Sequence, residues 1–169
     1  NPAISPAKGK RSLAVATTAK ALMVDAEVDP AEADETFLAG MLHDCGKLVL
    51  ASNFAADYAQ LVESGADTAA ETARFGVDHA AIGAHLLGLW GLPDTIVEAV
   101  AFHHEPMRSP SRSLSPLTAV HAAAALEARP DAATHPAWDI AYLDEAGVKG
   151  SMSRWLEVAE NVAYERANQ

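Results

Sequence analysis

Apolar residues recur along most of the chain at three- and four-residue spacing, and proline, glycine and capping side chains fall between the apolar runs. Residues 1–10 hold two prolines, a glycine and two lysines and read as a flexible lead-in. From about Arg11 to Val24, Leu13, Ala16, Leu22 and Met23 predict a first helix. Asp29 caps the next, with Pro30 at its first position, Glu32 three residues after the cap and a stripe of Phe37, Leu38, Met41 and Leu42. This helix is expected to end near His43-Asp44, with Gly46 as its terminator. "KLVLASNFAADYAQLVESG" reads as another helix, although "KLVLA" alone fits a strand. A short helix, "ADTAAETARFG", closes at Gly76, and "VDHAAIGAHLLGLWG" runs from a cap at Asp78 to a stop at Gly91. Pro93 opens "LPDTIVEAVAFHHEP", in which Ile96, Val97, Val100 and Ala101 face inward and Pro106 ends the segment at His103-His104. Ser115 and Pro116 start "SPLTAVHAAAALEA", and an amphipathic helix carrying Trp155, Val158 and Val162 closes the chain. "EPMRSPSRSLSP" reads as an exposed loop, and no hairpin signal, alternating strand or internal repeat intervenes. The sum is an all-α fold: one domain over residues 11–169, built from about seven or eight helices.

Composition agrees with this. Half of the 169 residues are hydrophobic and only 6% are aromatic; abundant alanine favours closely packed helices over sheets. Twelve Lys and Arg stand against 23 Asp and Glu, a net charge of −11, which repels phosphate backbones and anionic lipid. Nucleic acid and membrane are therefore not expected partners, and the short basic run Lys8-Gly9-Lys10-Arg11 reads as a solvated tail. No apolar run reaches the roughly 18 residues that span a bilayer, and no secretory leader pattern opens the sequence. The lone cysteine, Cys45, excludes an intramolecular disulfide framework and fits a reducing, cytoplasmic setting. It reads as a small residue at a tight helix end, without a second cysteine to resolve it.

Seven histidines change the picture. His43 precedes Asp44 at a helix end, His79 follows a glycine-and-acid turn at a helix start, and His103-His104 form a doublet at another helix end. Side chains of adjacent helical residues point about 100° apart. Such pairs therefore address one point only where a helix stops, or around two metals. Imidazole and carboxylate converging from helix ends suit first-row metals such as iron, manganese, zinc or nickel. His43, Asp44, His79, His103 and His104 are thus candidate metal ligands. His85 lies about 240° round the helix from His79 and reads as structural, as do His121 and His135.

The segments "RSLAVATTAKAL", "LAGMLHDCGKLVL" and "ETARFGVDHAAIGAHLLGLWGLPDTIVEAVAFHHEP" together resemble the HDOD domain, the HD-related output domain of bacterial signalling proteins. That family lies within the HD superfamily of metal-dependent phosphohydrolases. The resemblance covers about residues 11 to 128 and implies a helical fold with a metal site between helix ends. It places His43 and Asp44 at the His-Asp pair, His79 at the next ligand, His103 and His104 at the doublet, and Lys47 beside the phosphate. If the site is active, Asp44 and Lys47 are its catalytic residues.

The chain departs from the catalytic pattern at two positions. Arg11 stands where the first histidine falls, and Ala124 or a neighbouring alanine where the final aspartate falls, with no acid between Glu105 and Glu127. The helical half that precedes this region in HDOD proteins has no counterpart in the sequence. At most one metal per chain is expected. The function expected is that of a catalytically degenerate regulatory module, signalled by a linked receiver or sensor domain and acting on a protein partner. The alternative is a metal-dependent phosphohydrolase acting on a nucleotide or cyclic dinucleotide, although the "GYP" signature of cyclic-di-GMP-hydrolysing relatives does not follow "HHE". A sensor that binds a nucleotide without turnover is a third reading.

Overall fold

The computed structural model describes residues 6–65, 67–129 and 136–168, apart from the side chains of 6–9. His135 and the other residues of 130–135 lie outside the described residues. The described part is all helical: α1 (Pro6–Asp25), α2 (Pro30–Leu42), α3 (Cys45–Asn53), α4 (Ala55–Glu63), α5 (Thr68–Phe75), α6 (His79–Leu89), α7 (Asp94–Phe102), α8 (Pro116–Glu127), α9 (Ile140–Glu145) and α10 (Met152–Ala167), with 3-10 turns at Pro106–Arg108 and Lys149–Ser151. None of these residues forms a strand.

Ten helices replace the expected seven or eight for two reasons. The long helix after Lys47 breaks at Phe54, which ends α3 and starts α4 with a non-helical φ of −131°. A short helix, α9, is capped by the Asp139 carboxylate, which accepts from the Tyr142 amide. In addition, α1 begins at Pro6, ahead of the start expected at Arg11. Most of the boundary chemistry follows the sequence: the carboxylates of Asp29 and Asp78 accept from the amides of Ala31 and Ala81, and Gly76 takes the left-handed φ of 79° that ends α5.

Gly46 is the exception. It does not terminate α2, which ends at Leu42. It lies buried in the first turn of α3, where a Cβ would overlap the His79 carbonyl at the start of α6. Gly40 performs the same service between α2 and α1: a Cβ there would come within 2.6 Å of the Ala16 Cα. Missing side chains thus let two pairs of helix backbones approach closely, and the first of these contacts sets Asp44 beside His79.

The main core runs through α1, α2, α6, α7 and α8, with Leu22, Met23, Leu87, Ile96, Val100, Leu117 and Val120 among its fully buried members. The C-terminal segment completes it. Trp138, Tyr142, Leu143, Trp155 and Val158 are buried, and the Trp138 indole N–H donates to the Ala122 carbonyl at 3.1 Å. Thr118 and Tyr142 join hydroxyls at 2.9 Å. At the surface Arg166 bonds Glu127 at 2.9 Å while the Thr18 hydroxyl donates to the same carboxylate at 2.7 Å, tying α10, α8 and α1 together. No helix of the described residues is long and apolar enough to cross a membrane.

Candidate metal centre

Four helix ends meet at one point. His43 ends α2, Asp44 precedes α3, His79 opens α6, and His103 and His104 follow α7. Asp44 can face inward because its backbone, at φ −102° and ψ 11°, belongs to neither adjoining helix. Asp44, His79, His103 and His104 each present one donor atom, and these four atoms lie within 4.8 Å of one another. His79 Nε2 is 3.2 Å from Asp44 Oδ1 and 3.1 Å from His104 Nε2; His103 Nε2 is 3.9 Å from the same Asp44 oxygen. Metal–nitrogen and metal–oxygen bonds of about 2.0–2.2 Å set neighbouring ligands about 3 to 3.5 Å apart, so the spacing fits donors arranged round one ion.

The far side of three of the rings is already committed. His103 Nδ1 donates to the Val100 carbonyl at 2.9 Å, and His43 Nδ1 to that of Gly40 at 2.7 Å. His79 Nδ1 meets Glu71 Oε2 at 2.6 Å, and the His79 amide donates to the same oxygen at 2.8 Å. In these three rings Nε2 is therefore the nitrogen turned to the cluster. His103 Nε2 is buried without an aligned hydrogen-bond partner, and Asp44 Oδ1 has only its ion pair with Lys47 Nζ at 2.8 Å and the nearby His79 ring. Leaving the His103 nitrogen unpaired is costly unless a ligand satisfies it. The donor set thus fits a divalent transition metal ion.

Charge supports the arrangement. Burial would raise the Asp44 carboxyl, but His43, His79 and Lys47 together hold it well below the usual carboxylate range. Burial, with the nearby His104 and His43, keeps His103 well below the ordinary histidine value, and burial with His79 and Lys47 pushes His104 down to about 4. Neutral rings and an ionised carboxylate are the forms that ligate. Burial opposes but does not prevent the rise of His79, which Asp44 and Glu71 stabilise in its charged form.

The sequence-derived residues therefore gather, with a division among them. Asp44, His79, His103 and His104 form the donor group, while His43 stands behind it, its Nε2 3.5 Å from Asp44 Oδ2. Lys47 Nζ bonds Asp44 Oδ2 at 2.8 Å and is about a fifth exposed. His85 is exposed on the outer face of α6 and takes no part. Burial raises the Cys45 thiol, consistent with an inert residue packed near Gly83.

His121 is buried and structural: Nδ1 donates to the His103 carbonyl at 2.8 Å, and Nε2 accepts from the Asp139 amide at 3.0 Å. Its neighbours Ala122 and Ala123 belong to the core, so α8 brings no acid to the centre.

Sequence reasoning missed Glu71. It is buried on α5, its Oε2 orients His79 and its Oε1 lies 3.5 Å from the Tyr58 hydroxyl. A carboxylate behind a ligating histidine fixes the ring and raises its basicity. The available signal was an acid on a short helix with a left-handed glycine cap eight residues before the histidine.

A family model described as the HDOD domain matches residues 7–106. An uncharacterised protein of Treponema pallidum (strain Nichols) is 30% identical over 87 residues, which are 48% of this chain and 17% of that protein. A crystal structure from Shewanella amazonensis SB2B, described as a candidate phosphohydrolase, superposes over 91% of this chain and 62% of its own, with a TM-score of 0.68 at 22% identity. In both cases the chain spans less than two thirds of the other protein.

Proposed function

Since the chain belongs to the HDOD domain family, we propose that it is the output module of a bacterial signalling protein, holding at most one divalent metal ion and acting by binding rather than turnover. A linked receiver or sensor domain would set its state, and a protein partner would read it. The observation that carries this reading is the size of the donor set. Asp44, His79, His103 and His104 converge, and Asp44 is the one carboxylate among the four. The Glu71 oxygens face His79 and Tyr58, α8 offers alanines, and Arg11 on α1 is a cation and not a metal ligand. Two metals each need their own ligands to support hydrolysis, and this set is lean for two.

A bound divalent ion would supply Lewis acidity at the cluster. The chain's own residues would fix its position: Glu71 aims His79, the Val100 carbonyl aims His103, and Lys47 neutralises Asp44 from the solvent side.

A second reading, a metal-dependent phosphohydrolase acting on a nucleotide or cyclic dinucleotide, is favoured by the partly exposed Lys47 and exposed His104 at the rim of the cluster, where a phosphate could enter. Metal analysis of purified protein together with a generic phosphodiester assay separates the two. The regulatory reading expects no more than one iron, manganese, zinc or nickel per chain, lost in Asp44→Ala, and no hydrolysis above background. Two tightly held metals with turnover would overturn it in favour of the second.

A further inference from the structure

The described residues form two apolar clusters. Apart from the main core, Leu50, Ala51 and Tyr58 are buried together, with Leu61, Phe75 and Ile82 packed on them. The short helix α5 joins this second cluster through Phe75, whose ring lies 5.2 Å from that of Phe54 and 6.3 Å from that of Tyr58. Its ion pair to α4, Arg74 with Asp57 at 2.7 Å, is exposed and adds little. Eight residues are too few for a helix to persist in water by itself. Both ends of α5 are open bends: Gly65 and Gly76 take φ of 70° and 79°, and a Cβ at either would meet no described atom within 4 Å.

The one buried residue of α5 is a carboxylate, Glu71, and it faces the metal centre. One of its oxygens takes the His79 ring N–H at 2.6 Å and the His79 backbone N–H at 2.8 Å. The other lies 3.5 Å from the Tyr58 hydroxyl on α4. The firmest hold on α5 is therefore a residue of the donor group rather than apolar packing. Releasing α5 would leave both His79 donors buried and unpaired, which is costly. With a cation on His79 Nε2, the ring loses electron density and its Nδ1–H donates more strongly to Glu71.

We propose that α5 is a latch closed by occupancy of the metal centre, and that the α4–α5 face is the surface whose state a partner reads. The inference rests on the metal-site and output-module readings above. The coupling is reciprocal: the factor by which a bound ion favours closure is the factor by which closure raises affinity for the ion. Glu71 and Tyr58 are positioning residues in this scheme, and neither needs to touch the ion.

Arg74, exposed on α5, gives trypsin a cleavage point that becomes available when the helix opens, so the rate there reports the open population. Mass spectrometry of the fragment ending at Arg74, with calorimetric titration of Mn²⁺, tests the latch in the full chain, Glu71→Gln, Phe75→Ala and the double variant. Saturating Mn²⁺ is expected to slow cleavage after Arg74 about five- to hundredfold in wild type, and not in Glu71→Gln. Phe75→Ala, outside the donor group, should weaken Mn²⁺ binding by a factor in the same range and cost nothing further when added to Glu71→Gln. If Phe75→Ala does not fold, the cleavage contrast between wild type and Glu71→Gln decides alone. Mn²⁺ uptake with unchanged cleavage, equal slowing in Glu71→Gln, wild-type affinity in Phe75→Ala, or additive losses in the double variant would overturn the latch and leave the metal reading in place. No Mn²⁺ uptake by wild type would remove the metal reading and the latch with it.

Discussion

Glu71 is the side chain on which His79 depends. One of its oxygens receives both the ring N–H and the backbone N–H of that residue. Glu71→Gln keeps the size but removes the charge, and is expected to weaken Mn²⁺ binding by about 10–100-fold while the chain stays folded; undiminished affinity by titration would refute the positioning role. The histidines also set a pH dependence. Burial holds His43, His103, His104 and His121 below the ordinary histidine range. Each stays neutral in the folded chain where the unfolded chain takes up a proton. The stability they confer is complete above pH ~6.5 and is lost as pH falls below it. His79 is raised, so its contribution is complete below that point and drains away above it. Asp44 and Glu71 are depressed and lose their contribution only below the usual carboxylate range. Four rings oppose one, and the metal-free chain should melt at a lower temperature at pH 5 than at pH 7 by circular dichroism. At this scale the sequence showed which histidines sit at helix ends, because termination signals are local. It did not show Glu71, whose role depends on α5 and α6 folding back across a left-handed glycine, nor the placement of His43 behind Asp44 rather than in the donor group.

Between elements, the contact of α3 with α6 decides whether the centre exists. A Cβ on Gly46 would overlap backbone, the His79 carbonyl, which cannot rotate aside as a side chain could. Gly46→Ala should therefore push the helices apart, costing on the order of 1–3 kcal/mol and lowering the melting midpoint by about 2–4 °C per kcal/mol, with a parallel loss of metal affinity. A midpoint equal to wild type would show that the close approach is dispensable. The reading of Gly46 as a helix terminator followed from position alone; spacing along one helix does not reveal that another backbone passes against it. The capping carboxylates of Asp29 and Asp78 were legible because they act on amides two or three residues away. The break at Phe54 was not, because the apolar pattern continues across it. Phe54 instead leaves the helical path and rests tilted on Phe75 of α5, ring centres 5.2 Å apart.

For the molecule as a whole, the family match ends at residue 106, yet the core does not. Trp155 is buried and meets Trp138 edge to face at 6.4 Å, placing α10 against the segment ahead of α9. Trp155→Ala should cost about 3–5 kcal/mol and lower the melting midpoint by roughly 10 °C, with metal stoichiometry unchanged below the transition. A wild-type midpoint would mean that α10 is an appendage. The all-helical class was readable from alanine content and periodicity, whereas the part played by residues beyond 128 was not, because it arises only when distant helices pack. His121 carries that packing into the centre. One neutral ring joins the His103 carbonyl to the Asp139 amide, so the segment ahead of α9 and the doublet share a single tether. Whatever steadies His103 should also steady Asp139, about 35 residues further along the chain. Hydrogen–deuterium exchange at the Asp139 amide should therefore slow when Mn²⁺ is added, making a backbone position remote in sequence a reporter of occupancy at the centre.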